Sequence, residues 1–95
     1  MKNLEKQQEQ ETMINDLIFN IRLTLDLGDF KTRREIAEYV ETKARLTAED
    51  AENCGYEQAK NMADYIADKV GRIKNIQKAH LIERRIQETL DSINY

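Results

Sequence analysis

Apolar residues recur along this chain at three- and four-residue intervals, the spacing of one face of an α-helix. Ile14, Leu17, Ile18, Ile21 and Leu25 share a stripe that predicts a first helix from about Asn3 or Thr12 to Leu27. Gly28 follows the last periodic residue and fits a helix C-terminus, where a positive φ is needed. Polar residues crowd the opening segment, residues 1–11, which is expected to fray or to extend the first helix. A second apolar ridge, Phe19, Leu23 and Leu27, lies at i, i+4 and i+8, almost opposite the first. A surface helix needs one apolar stripe, so two predict a helix that is central in the fold or shared with another chain.

Thr32-Arg33-Arg34-Glu35 reads as a capping box, with Phe30 placed to pack back on the helix it opens. Ile36, Ala37, Val40 and Ala44 form the buried edge of this second helix, which is expected to end near Arg45 or Leu46. Thr47-Ala48-Glu49-Asp50 then offers another start, with Thr47 as N-cap and acids in the first turn. From there no strong stop appears. Gly55 and Gly71 are tolerable inside a helix at about 1 kcal/mol each.

The stripe changes direction, however. Gly55, Ala59, Met62, Ile66, Val70 and Ile73 follow one face. Ile76, Ala79, Ile82, Ile86, Leu90 and Ile93 follow another, rotated by roughly 130°. The reading favoured is a long C-terminal helix, continuous or gently bent near residues 71–75, whose last part packs on a different neighbour, with a clean break there as the alternative. The small residues Ala48, Ala51, Gly55 and Ala59 mark where a neighbouring helix can come close.

The fold class is therefore all-α. It is either a three-helix bundle or a helical hairpin with a long C-terminal helix, in one domain over residues 1–95. Composition agrees. The chain has no proline, three glycines and 35 % charged residues, and helix formers dominate. The longest run free of charge, residues 17–21, is far short of a bilayer span, and the opening has no secretory apolar run. A cytoplasmic location is expected. One cysteine, Cys54, agrees with a reducing compartment and reads as a small half-buried residue among acids.

Little here suggests catalysis. The chain has one serine, Ser92, and one histidine, His80. Along an unbroken helix Cys54 and His80 would lie tens of ångströms apart. Two Cys or His residues are too few for a structural zinc site, and His80 with Glu83 reverses the order that di-iron bundles use. No phosphate-cradling glycine motif occurs. The expectation is no enzyme, no cofactor and no metal.

Net charge is −3, unevenly spread. Residues 47–68 carry six carboxylates and one lysine, whereas residues 69–85 carry six cations and one glutamate. Such a dipolar chain suits antiparallel self-association or a charged partner. Lys74, Lys78 and Arg85 share a helical face, with Lys69, Arg72 and Arg84 nearby, and this stripe is a candidate phosphate contact. Separately, Thr32-Arg33-Arg34-Glu35-Ile36-Ala37-Glu38-Tyr39-Val40 resembles the first helix of helix-turn-helix and winged-helix regulators. A basic recognition helix should follow, but residues 47–52 are acidic.

Two surplus ridges remain: Phe19, Leu23 and Leu27, and Ile82, Ile86, Leu90 and Ile93. They predict a partner or oligomer interface. The expected function is a non-catalytic interaction module that self-associates, or that binds and modulates or inhibits a larger protein. A nucleic-acid-associated regulator using residues 69–85 is the alternative.

Overall fold

A computed structural model describes residues 2–27, 33–75 and 80–93, and these are helical apart from short turns. Four helices follow in order: α1 (Lys2–Leu27), α2 (Arg33–Asn53), α3 (Glu57–Ile73) and α4 (His80–Asp91). Together they form a rod of 48 × 20 × 20 Å. The expected helix ends at Gly28, Phe30 and Thr32, like Ile76, Lys78 and Ala79, lie outside the described residues.

The most extensive packing is between α2 and α3. Ala44, Ala48 and Ala51 of α2, and Ala59, Ala63 and Ala67 of α3, are all buried. Side chains this small let two backbones approach closely. The predicted run of small residues is thus divided between two helices, with Gly55 in the turn that joins them.

That turn corrects two expectations. Thr47 does not start a helix. α2 runs through it, and the Thr47 hydroxyl donates to the Lys43 carbonyl at 3.0 Å. No glycine or proline interrupts the residues before it, and threonine satisfies its hydroxyl inside a helix by bonding back one turn. Gly55, expected inside a helix, ends one. Its φ is +74°, its N–H donates to the Glu52 carbonyl, and the Tyr56 N–H donates to the Ala51 carbonyl. This pair of bonds is a Schellman closure, in which a residue with a Cβ is strained by about 1–2 kcal/mol. Cys54, in the same turn, is exposed instead of half-buried.

The long C-terminal helix is replaced by two helices. α3 ends at Ile73, where Lys74 and Asn75 form a turn, and α4 runs back antiparallel to α3. Ser92, just past the end of α4, lies beside Tyr65, and Arg85 lines the same groove as Arg72. This folding back resolves the rotated stripe: both apolar faces point into one core. Ile66, Val70, Ile82, Ile86 and Leu90 are all within 1 % of full burial, together with Ile14, Ile21 and Val40.

Residues 4–11 belong to α1, and two of them are tied to the rest of the rod. Gln10 is buried, and its Oε1 accepts the Ala59 backbone N–H at 3.1 Å. Ala59 is the third residue of α3, whose N-cap Tyr56 makes no side-chain capping bond. A glutamine from another helix therefore does the work of an N-cap. Next to it, the Tyr56 hydroxyl donates to Glu9. Gln10→Ala is expected to lower stability by about 1–2 kcal/mol, because it leaves a buried N–H unpaired. Chemical denaturation of the two forms checks this, and an unchanged midpoint would remove the capping role.

Candidate functional site

The two predicted interface ridges have different fates. Ile82, Ile86 and Leu90 are buried in the chain's own core, and Ile93 is half-buried against it. That half of the expected surface is corrected: α4 spends it on α2 and α3, against which it packs. The other ridge stays outside. Phe19 is 65 % exposed and Leu23 is 45 % exposed, on the side of α1 opposite Ile14, Leu17 and Ile21. The Leu27 side chain lies outside the described residues.

Sequence reasoning missed a companion strip on α2. Tyr39 and Leu46 are exposed and lie seven residues apart, two helical turns along one side. Beside them Lys43, Thr47 and Asp50 line an open groove shared with Asp16 and Asn20 of α1. The α1–α2 side of the rod thus presents apolar strips flanking a polar furrow. Tyr39 and Leu46 sit off the stripe that gave α2 its buried edge, which is the signal that could have found them.

The basic stripe does not stay together. Lys74 turns toward α2, where its Nζ donates to Glu41 Oε1 at 2.8 Å. Arg45 reaches the other oxygen of Glu41 at 3.2 Å. Room for that carboxylate comes from Gly71, where a Cβ would sit 2.6 Å from Glu41 Oε2. Gly71 was expected only to be tolerated, and in fact it opens space for an ion pair between α2 and α3. The Lys78 side chain lies outside the described residues. Arg85 lines an open groove between α3 and α4 with Lys69 and Arg72. Within α4 it pairs with Glu88 at 3.5 Å.

Two groups have displaced titrations. The hydrogen bond from Lys74 holds the Glu41 carboxyl below its ordinary value of 4.5, with help from Arg45 and against the pull of burial. The Tyr56 phenol is pushed up to about 12, first because it donates to Glu9. A depressed carboxyl adds stability that is present above pH 4.5 and is lost as pH falls through the folded-state value. The melting-temperature gap between wild type and Glu41→Gln is therefore expected to close on acidification below pH 4.5. A gap that stays constant to low pH would rule out this linkage.

Among the described residues, no three His, Cys, Asp or Glu side chains converge on a point that could hold a metal ion. No buried side-chain nitrogen or oxygen among them lacks a partner. No helix among them is long and apolar enough to cross a membrane. What the described surface offers is an apolar ridge on α1, an apolar strip on α2 and a groove between α3 and α4 lined by three cations. No family model, curated protein or solved structure matches this chain.

Proposed function

We propose that this chain is a non-catalytic protein-interaction module that binds through the outer face of α1. The observation that carries this reading is the exposure of Phe19 and Leu23, one turn apart, on a helix whose opposite face already fills the core. An exposed phenylalanine beside an exposed leucine is a natural anchor for a partner's apolar surface. With α4 committed internally, the α1 ridge stays exposed, with the Tyr39 and Leu46 strip of α2 as a companion. An apolar surface of this kind can meet its own copy about a two-fold axis, so the first partner to test is a second copy of the chain. A larger protein whose activity the chain modulates or inhibits would use the same ridge. The lack of a catalytic constellation in the sequence, and its single cysteine, fit a small cytoplasmic regulator better than an enzyme.

Sedimentation velocity at micromolar concentration tests this. Wild type is expected to self-associate and Phe19→Glu to be monomeric; the two should melt alike at concentrations below association, because the side chain is outside the core. A wild type that stays strictly monomeric and captures no protein from its native lysate would sink the reading.

A further inference from the structure

We infer that the groove between α3 and α4 is a binding site for a small phosphomonoester, of sugar-phosphate size. The groove is open to solvent and offers about 480 Å³, comparable in volume to small-molecule sites. Three cations and one carboxylate line it: Lys69 and Arg72 from α3, and Arg85 and Glu88 from α4. They are brought together by the antiparallel return of α4, since thirteen residues of sequence separate Arg72 from Arg85.

These cations are not neutralised as Lys74 is. Among the described residues no carboxylate pairs with Lys69 or Arg72. The Lys69 ammonium instead lies 5.6 Å from the centroid of the Tyr65 ring. Arg85 has Glu88 at 3.5 Å, but that carboxylate is shared with Arg84 at 3.4 Å, and all three side chains are half-exposed or more. Like charges around one concavity repel each other. A dianion placed among them removes that repulsion and gains charge-assisted hydrogen bonds from guanidinium groups, which match phosphate oxygens in pairs.

The hydroxyls of the lining are already engaged. The Thr89 hydroxyl donates to the Arg85 carbonyl, and the Ser92 hydroxyl donates to the Thr89 carbonyl. Tyr65 and Ser92 are 3.3 Å apart. With the Ser92 proton already given to Thr89, the Tyr65 hydroxyl is the donor of that pair. The Thr89 and Ser92 protons are therefore used inside the protein, Thr89 is itself buried, and Ser92 accepts from Tyr65. These hydroxyls have no donor left for a phosphate. Phosphate recognition falls to Lys69, Arg72 and Arg85 alone.

An NMR titration of the full chain at low salt tests the assignment, with ribose 5-phosphate as probe and ribose as control. The expected result is saturable shifts confined to Tyr65, Lys69, Arg72, Arg85 and their neighbours, and none with ribose. Arg72→Gln is expected to weaken binding about tenfold. Glu88→Gln is expected to tighten it, because it frees Arg85. A merely structural role for either residue would not produce opposite signs, and circular dichroism melts confirm that both variants fold. No saturable shift, or shifts spread equally over remote cations such as Arg34 and Lys60, would overturn the site. So would duplex DNA moving the same signals where ribose 5-phosphate does not. No residue of α1 lines this groove, so Phe19→Glu should bind the probe as wild type does.

Discussion

Ile86→Ala is expected to destabilise the protein by about 2–5 kcal/mol. Ile86 is fully buried near the middle of α4, between Ile82 and Leu90, which are buried as well. Truncating it removes apolar contacts and leaves a cavity that the surrounding helices fill only in part. The substitution also separates two views of α4. If its apolar stripe waited for a partner, truncation would leave the isolated chain's melting temperature alone and weaken association. Packed as it is, α4 makes Ile86 a determinant of the monomer's own stability. Thermal or urea unfolding at two protein concentrations distinguishes these outcomes: the loss should be the same at both.

The second large effect is of opposite chemistry. Ala63→Leu is expected to cost about 3 kcal/mol, although leucine and alanine are both good helix formers. Ala63 is fully buried on α3, in register with Ala59 and Ala67, where α2 and α3 pack most extensively. Three added carbons there must push two helices apart or twist out of their preferred rotamers. An exposed position on the same helix, Asn61→Leu, serves as the control and should change little. If Ala63→Leu unfolds at the same denaturant concentration as wild type, the seam is looser than the alanines imply.

Much of this architecture could be read in the chain, and what could not has physical causes. The stripe Ile14, Leu17 and Ile21 was legible because a 3.6-residue period kept up from Ile14 to Leu25, about three turns, has no competing interpretation, and all three residues are buried. Ile36, Ala37, Val40 and Ala44 were legible for the same reason. Helix boundaries were harder. Thr47 followed by acids resembles a start, but a start signal is silent when nothing stops the preceding helix. Gly55 and Gly71 look alike in sequence. One takes a positive φ and the other makes room for Glu41, and only tertiary context separates these uses.

The candidate site was half legible. Periodicity found both surplus ridges, yet it cannot say whether a ridge is covered by the same chain. The reversal between α3 and α4 decided that for Ile82, Ile86 and Leu90, and left Phe19 and Leu23 outside. The basic stripe failed similarly. One helix would have aligned Lys74 with Arg85, whereas two antiparallel helices send Lys74 to Glu41 and gather Lys69, Arg72 and Arg85 around one concavity.

The hydrogen bond from Ala59 to Gln10 ties residues that are far apart along the chain. Gln10 is consequently part of the structure that starts α3. Its loss would loosen the first turn of a helix nearly fifty positions downstream, so the two segments should unfold together.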